Sequence, residues 1–539
     1  MRRHGIFTSV LLVGAVGVGA LPAQAQRRGQ VVPYIEVGQI LTADLQGGDV
    51  LTYSTVAAGL DASVQTRRVE LQLSYRYEHR FAWDDALADD SIHSGIARAA
   101  VKLTPGLSVD GGAIATRART DIRGAVPGNS VGNQRNISQV YSAYLSPTLA
   151  TRIGDVTTNA AYRFGYTKVE STNTITGVPG GQPALDSYDD ATSHMATVSA
   201  GVRAGAVMPI GLTLSAAYER EDARQLDQRY EGKYGRADAV LPVGPTLALV
   251  GGVGYENIEI SQRDPLIDPT GQPVVDTDGR YITNPASPRR LSYDTDGLFW
   301  DAGVVFKPGR RTTLQARVGR RYDTVTYTGS LSYQPSSNTG LQVGVYDGIQ
   351  SFGRGITNSL QRLPTSFETP NGPLGQQFGG CVFGTDDSSA GGCLTSALGA
   401  LSTANFRSRG IDAVFSLQSG GYSFGYGMGY ANRRYLLPTG SLAAGSPLAG
   451  VSDESYYAQV FIGRALGARA SINANAYATY FSSGIALAPD AWGAGVNGSY
   501  EYSFGRFGAT ASAGLFSSDQ EQLIADIQAQ AALGMRYSF

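Results

Sequence analysis

The sequence lacks any long apolar run after its first residues, which excludes membrane-spanning helices. No segment beyond residue 25 approaches the roughly 20 apolar residues that a helix needs to cross a bilayer. It also lacks an excess of charge, with 43 Lys and Arg against 45 Asp and Glu. Because nucleic acid calls for a concentrated basic face, no nucleic-acid partner is expected. A nucleophile elbow, an HExxH motif and a Gly-rich phosphate loop are missing too, and no cofactor is predicted.

Cysteine is nearly absent. The two residues present, Cys381 and Cys393, lie in one Gly- and Ser-rich segment. In an exported protein such a pair most often forms a local disulfide. Two free thiols or a metal pair are the alternatives, but no His or further Cys lies nearby to complete a set of metal ligands.

The first residues read as an export signal. Arg2 and Arg3 precede an apolar run from Ile6 to Leu21, and Ala23-Gln24-Ala25 has the small-x-small form that signal peptidase cuts. Residues 1–25 are therefore predicted to be a cleaved signal peptide, and residues 26–539 the mature chain. The 69 Gly, 30 Tyr and 18 Phe are typical of membrane barrels, which need small residues on crowded strands and aromatic girdles at both interfaces.

The last residues predict a strand with one apolar face. Apolar and small or polar residues alternate from Ala529 onward, and the chain ends on an aromatic residue. This pattern fits the closing strand of a membrane barrel, where lipid-facing and lumen-facing positions alternate. It also resembles the terminal signal that bacterial outer-membrane barrels present to their assembly machinery. An edge strand of a soluble sheet is the alternative. The residues that carry the predicted signal are Leu533, Met535, Tyr537 and Phe539.

Strand-like runs of about ten or more residues follow one another, separated alternately by tight Gly- or Pro-containing turns and by long polar loops. We therefore predict an all-β, transmembrane, antiparallel up-and-down barrel of about 22 strands (roughly 18 to 24), with short periplasmic turns and long extracellular loops. The predicted location is the outer membrane of a Gram-negative bacterium. The tight turns are expected near Val64, Pro105, Thr148, Pro209, Gly244, Pro308, Pro335, Ser419, Gly467 and Gly505. The long loops are expected at residues 121–135, 170–190, 263–290, 353–404 and 437–453.

No plug domain is expected ahead of the barrel, because strand-like alternation begins at Pro33, directly after the signal. Receptors with about 22 strands carry such a plug. If the lumen is blocked, a long loop must block it, and residues 353–404 form the largest candidate.

The run from Val69 to Phe81 predicts which face of each strand turns inward. Apolar side chains occupy one face and charged side chains the other. Turning the charged face to lipid would cost roughly 2–4 kcal/mol per basic residue at mid-bilayer, so the charged residues are predicted to line a wet lumen. The predicted lumen-lining residues are Glu70, Arg76, Glu78, Arg80, Arg163, Arg317 and Arg321.

Three segments, Lys307 to Leu314, Ala316 to Tyr322 and Tyr327 to Tyr333, read KPGRRTTL, ARVGRRY and YTGSLSY. They resemble the outer-membrane barrels associated with exosortase/PEP-CTERM systems, which are similar to barrels encoded with exopolysaccharide biosynthesis loci. The resemblance covers about residues 298–350, whereas residues 353–404 match no motif of that family. It implies a passive or assisting conduit associated with exopolysaccharide export.

Two further hypotheses follow from local patterns. His79 and His93 stand near several Asp and Ser residues, the only place where a hydrolase site could form; a solvated loop with interfacial histidines is the plainer interpretation. Asp276 and Asp278 are spaced like calcium ligands but lack the downstream Glu of an EF-hand, which favours an ordinary acidic turn. An enzyme is therefore not predicted, and a structural or assembly-related barrel with a closed lumen stays as an alternative. The expected partners are outer-membrane lipid and lipopolysaccharide, the barrel assembly machinery and exopolysaccharide export components.

Overall fold

The computed structural model describes residues 29–48, 50–83, 90–122, 136–171, 185–368, 374, 380–385, 389–399, 401–438, 448, 450–485, 488–520 and 526–539. The predicted signal peptide lies outside these residues. The strands of the first half are β1 (Gly29–Asp44), β2 (Val50–Gln65), β3 (Val69–Ala82), β4 (Asp90–Thr104), β5 (Leu107–Arg119), β6 (Ile137–Ile153), β7 (Val156–Ser171), β8 (Asp190–Val202), β9 (Gly211–Ala223), β10 (Gln228–Pro242), β11 (Leu247–Gln262), β12 (Arg290–Gly309), β13 (Thr312–Arg321), β14 (Thr324–Ser336) and β15 (Thr339–Gln350).

Two short helices and three short strands follow β15 before the long strands resume. These elements are α1 (Phe352–Arg362), β16 (Phe367–Glu368), β17 (Cys381–Gly384), β18 (Gly391–Cys393) and α2 (Thr395–Leu398). The remaining strands are β19 (Asn405–Ser419), β20 (Tyr422–Leu436), β21 (Ser452–Ala465), β22 (Ala470–Ser482), β23 (Ala491–Phe504), β24 (Phe507–Gln520) and β25 (Asp526–Ser538).

The 22 long strands form one antiparallel sheet that closes on itself. Each pairs with the next along the chain, and β1 pairs with β25, with Ile35 opposite Tyr537 and Val37 opposite Met535. Closure satisfies the backbone groups that an open sheet edge would leave unpaired in lipid. The predicted antiparallel barrel and its predicted strand count are confirmed.

The connections at one end of the ring are all short, whereas those at the other end range from the two residues between β13 and β14 to the long segment between β15 and β19. We call the end that carries the β2–β3 and β4–β5 turns the turn end, and the end that carries the longer β5–β6 and β11–β12 connections the loop end. The predicted turn near Thr148 is wrong, because Thr148 pairs with Ala161 inside the β6–β7 ladder. The turn lies at Gly154, where φ is +61°. Pro147 suggested a turn, but it lies within β6, where pairing with β7 is interrupted.

The outer face of the ring is apolar. Leu214, Leu298 and Leu533 are 66 %, 77 % and 67 % exposed, an arrangement that water would penalise and lipid favours. Met535 and Phe539 are exposed beside Leu533, and the Tyr537 ring lies 5.0 Å from that of Phe539. Recognition of these last residues by the assembly machinery stays a prediction.

The residues between β15 and β19 fold back into the ring; we call residues 351–404 the inner segment. Its described residues contact strands on both sides of the barrel. The fifth barrel strand is β5 and the sixteenth is β19, since β16 to β18 are not barrel strands, so these two lie eleven apart in a ring of 22. The inner segment therefore crosses the lumen near its diameter. The lumen is predicted to be wet, but part of it is dry. The inward faces of the strands also carry buried apolar residues such as Ile96 and Val140.

Candidate functional site

The helix α1 is set up by local sequence. The Ser351 hydroxyl accepts the backbone N–H of Arg354 at 3.2 Å, which satisfies one of the free donors at the start of the helix. Arg362 lies in the last turn, where a positive charge complements the helix dipole. With 11 residues the helix is about 16 Å long, enough to run well into the barrel from the loop end.

Arg354 anchors α1 to the barrel wall. Its Nε donates to Glu221 Oε2 at 2.6 Å, and its Nη1 lies 3.4 Å from Glu219 Oε2, both on β9. Its Nη2 donates to Asn405 Oδ1 on β19 at 3.2 Å, and its guanidinium carbon lies 3.5 Å from the centre of the Tyr230 ring. Arg354 is 2 % exposed. Removal of this guanidinium would leave the buried Glu221 carboxylate without a cationic partner.

Below α1 the inner segment hydrogen-bonds to the inward faces of β3, β4 and β7. Arg98 Nε donates to the Leu363 carbonyl at 3.1 Å, and Arg163 Nη1 donates to Gln361 Oε1 at 2.5 Å. Gln72 accepts the N–H of Phe367 at 2.7 Å. Since Gln72 lies near the β2–β3 turn, the inner segment extends almost to the turn end.

The opposite wall holds the disulfide hairpin β17–β18. Cys381 and Cys393 are joined by a disulfide and face each other in the hairpin ladder. The Cys381 N–H donates to Gln459 Oε1 on β21 at 2.7 Å. A Cβ at Gly427 on β20 would come within 2.4 Å of Cys381 Sγ. Glycine at this position is therefore what allows the disulfide to lie against the wall.

A dry core forms between α1 and strands β4 to β8. Phe352, Ile356 and Leu360 on one side of α1 are at most 1 % exposed and pack with Ile96 and Val140 of the barrel. Full burial of such a side chain contributes about 1.5–3 kcal/mol. This part of the lumen is packed like a protein interior.

The wall made by β10 to β14 is different, because it carries a cluster of charged side chains. Arg236 Nε donates to Asp238 Oδ2 at 2.8 Å, and its Nη1 lies 2.6 Å from Asp301 Oδ2. Arg317 Nη1 bridges the same two carboxylates, at 3.0 Å and 2.7 Å. We call Arg236, Asp238, Asp301 and Arg317 the wall cluster.

The wall cluster depends on a glycine. In the strand ladders Gly252 stands between Asp238 and Asp301. A Cβ there would lie 2.2 Å from Arg236 Nη2 and 2.7 Å from Asp238 Oδ1. The guanidinium can lie flat on the wall only because no side chain occupies this position.

A cavity of about 250 Å³ opens in front of the wall cluster. Arg321 lies beside it, with its Nε donating to Glu256 Oε2 at 2.7 Å and its guanidinium 4.9 Å from the centre of the Phe299 ring. Among the described residues none of the inner segment lines this cavity. The lining residues are Arg236, Asp238, Phe299, Trp300, Asp301, Arg317, Gly319, Arg321, Thr326, Thr328 and Asp347.

At the loop end, Asp186 links several connections. It accepts the Tyr281 N–H at 2.8 Å and the Gln225 side-chain amide at 2.5 Å. Its neighbour Ser187 forms a β-bridge with Ser402 of the inner segment. Burial raises the pKa of Asp186 to about 7, although these hydrogen bonds and the nearby Arg280 act in the opposite direction.

The structure places the predicted lumen residues in three groups. Glu70 accepts the Thr365 hydroxyl at 2.7 Å and Arg163 contacts Gln361, so both hold the inner segment. On β3, Arg76 and Arg80 both pair with Glu78. Arg317 and Arg321 belong to the cavity described above.

The three histidines outside the signal lie on the outer face. His79 Nδ1 lies 2.9 Å from Ser91 Oγ, His93 Nδ1 lies 2.7 Å from the Tyr75 hydroxyl, and His194 Nδ1 lies 2.7 Å from the Tyr162 hydroxyl. Asp84, Asp85 and Asp89 lie outside the described residues. Within the described part, no ion pair joins His79 to a carboxylate, which a nucleophilic triad requires.

The calcium candidates form turns. Asp276 Oδ1 accepts the N–H groups of Asp278 and Arg280, both at 2.9 Å, and Asp278 pairs with Arg280 at 3.1 Å. Over the described ranges, no group of three or more His, Cys, Asp or Glu side chains is placed to hold a metal ion. The helices of the described part are all too short or too polar to cross a membrane.

Sequence reasoning missed several residues of these sites. Arg236 and Asp238 share the inward face of β10, so the alternation that identified Arg317 could also have identified them. Arg354 and Asp186 lie in connections between barrel strands, where no alternating pattern shows which way a side chain points. Their contacts join residues more than 35 positions apart, and only the folded chain brings these together.

No family model and no curated protein matches this sequence. Among solved structures, the siderophore receptor PirA from Pseudomonas aeruginosa is similar with a TM-score of 0.38 and 10 % identity, covering 95 % of this chain and 80 % of that one. The FrpB iron transporter from Neisseria meningitidis gives a TM-score of 0.42 and 9 % identity, covering 94 % and 82 %. The alcaligin receptor FauA from Bordetella pertussis gives 0.38 and 13 %, covering 94 % and 76 %. The ligands named for these three proteins are not assigned to this chain.

The closed ring, its apolar outer face and its polar inward positions occur together in transmembrane barrels. The chain is a transmembrane β-barrel protein, and its location in the outer membrane stays a prediction.

Proposed function

We propose that this protein is an outer-membrane conduit, associated with exopolysaccharide export, whose lumen is divided by the inner segment. The observation that carries the proposal is the contrast between the two sides of the lumen. The inner segment fills the side of β4 to β8, whereas a polar cavity remains in front of the wall cluster. A polar, uncovered wall inside a membrane barrel is what a hydrophilic solute needs.

The link to polysaccharide rests on the sequence resemblance. The segments that carry it, between Lys307 and Tyr333, supply β13 and most of β14. They therefore contribute Arg317, Arg321 and Thr328 to the cavity. The part of the chain that resembles the exosortase-associated barrels is thus the part that lines the open side.

The test is a deletion strain complemented with the wild-type gene or with the Asp301→Asn, Arg317→Gln double variant, which keeps the formal charge balance. We expect surface polysaccharide to fall in the deletion strain and to be restored only by the wild-type gene. Equal surface polysaccharide in all strains would contradict the proposal. Outer-membrane abundance of the variant, measured by immunoblot, is the control for assembly.

A closed structural barrel is the second candidate, and the buried Arg354 anchor and the disulfide favour it. Ion current through the purified protein in planar bilayers separates the two candidates. A steady current supports the conduit, and a sealed bilayer with correctly inserted protein supports the closed barrel.

A further inference from the structure

We propose that the cavity in front of the wall cluster binds an uncharged, hydroxyl-rich solute, of which a neutral oligosaccharide is the representative. This inference rests on the proposed conduit function and names the solute class that its open wall recognises.

The first support is charge balance. The cavity is lined by three guanidinium groups, on Arg236, Arg317 and Arg321, and by three carboxylates, on Asp238, Asp301 and Asp347. The wall cluster holds its opposite charges within 3.0 Å of each other. Neither an anion nor a cation would find an uncompensated charge there, and a charged ligand would have to break existing pairs.

The second support is the remaining hydrogen-bonding capacity. Each carboxylate oxygen has more than one acceptor site, and the Thr326 and Thr328 hydroxyls can both donate and accept. A sugar hydroxyl also does both, so it can accept from a guanidinium while donating to a carboxylate.

The third support is a fixed geometry. Phe299 lies under two of the guanidinium groups. The centre of its ring is 5.7 Å from the guanidinium carbon of Arg236 and 4.9 Å from that of Arg321. Gly319 faces Asp301 across the ladder, and a Cβ there would lie 2.7 Å from the Asp301 Cβ. The polar groups are therefore held in place before a ligand arrives, which reduces the entropy lost on binding.

The test is calorimetric titration of the purified full-length protein with maltotriose, cellotriose and laminaritriose, and with trigalacturonate as the anionic counterpart. We expect at least one neutral trisaccharide to bind more tightly than trigalacturonate. Absence of neutral binding up to about 10 mM, beyond the millimolar range of weak specific sites, would overturn the proposal. Tighter binding of trigalacturonate would overturn it as well.

The Thr326→Val, Thr328→Val variant removes two hydroxyls with little change in shape, and we expect at least tenfold weaker binding of the neutral ligand. The matched control is Ser330→Ala, Ser332→Ala, which removes two hydroxyls from the same face of β14 outside the cavity and should leave binding unchanged. Equal affinities of the two variants would contradict the assignment.

A second measurement does not depend on the threonines. Asp301→Asn removes one carboxylate and leaves a net positive charge at the wall cluster, so we expect this variant to gain affinity for trigalacturonate. An unchanged preference would count against charge balance as the basis of selection. Both titrations use purified protein, so they can succeed or fail independently of the surface-polysaccharide assay.

Discussion

The two sides of the lumen are built from the same alternating strands but differ in what covers them. On the side of β4 to β8, Ile96 and Val140 pack against α1 and exclude water. On the side of β10 to β14, the inward residues around Arg236 and Arg317 face a cavity. The strand pattern decides which side chains turn inward, and a segment from a distant part of the chain decides whether that face is dry or open.

Arg354→Ala should have the largest effect, because it removes the anchor on the covered side. Glu221 would stay buried without its cationic partner, and breaking a buried pair typically costs about 3–5 kcal/mol. We expect the amides of α1 to exchange hydrogen orders of magnitude faster, measured by hydrogen–deuterium exchange. Arg362→Ala, at an exposed position of the same helix, is the control. Equal exchange in both variants would contradict the anchoring role.

Loss of the disulfide should loosen the opposite attachment of the inner segment. Cys381 and Cys393 are 12 residues apart, and closing a loop of this size contributes about 3 kcal/mol in the chain-entropy account. We expect the Cys381→Ser, Cys393→Ser variant to show faster exchange in residues 381–384, with α1 less affected. Uniform loosening of the whole segment would instead indicate that it unfolds as one unit.

Asp186 should make the loop end pH-sensitive. Its folded-state pKa of about 7 lies above the usual value of 3.8 for an Asp side chain, so its stabilising contribution is fully present below pH 3.8 and is lost as pH rises through 7. The expected slope across this window is roughly 1 kcal/mol per pH unit.

The measurement for Asp186 is hydrogen exchange at residues 185–189 between pH 5 and 8, corrected for intrinsic exchange rates. We expect opening to become easier with rising pH in the wild type. Asp186→Asn, which cannot ionise, should be insensitive to pH over this range. A pH response that persists in that variant would assign the effect to another group.

Arg317→Gln should have the smallest effect on stability, about 1 kcal/mol or less, because pairs that water can reach contribute little. Its side chain is 18 % exposed, against 2 % for Arg354. Chemical denaturation of the refolded barrel measures the difference. A loss as large as that of Arg354→Ala would mean that the open wall is as tightly packed as the covered one.

The barrel could be predicted because its signals are local and repeated. Alternation along single strands, such as Val69 to Phe81, predicts the correct class, and the spacing of tight turns and long loops predicts the correct strand count. The turn near Thr148 was misplaced because Pro147 has the same local signature in a turn and in an interrupted strand pair.

The arrangement of the lumen was harder to predict. Ile96 and Val140 are apolar but point inward, whereas the rule that apolar residues face lipid would place them on the outside. Their partners Ile356 and Leu360 lie more than 200 residues away in the sequence. Sequence periodicity shows which way a strand residue points, but not what another part of the chain places in front of it.

The division of the lumen is tested most directly by removing the inner segment. Gln350 pairs with Phe406, so a short Gly-Ser linker can join β15 to β19 in place of residues 351–404. The measurement is single-channel conductance in planar bilayers. We expect the shortened protein to conduct several times more current than the wild type, because the covered side of the lumen opens. Equal conductance in both proteins would contradict a lumen divided by the inner segment.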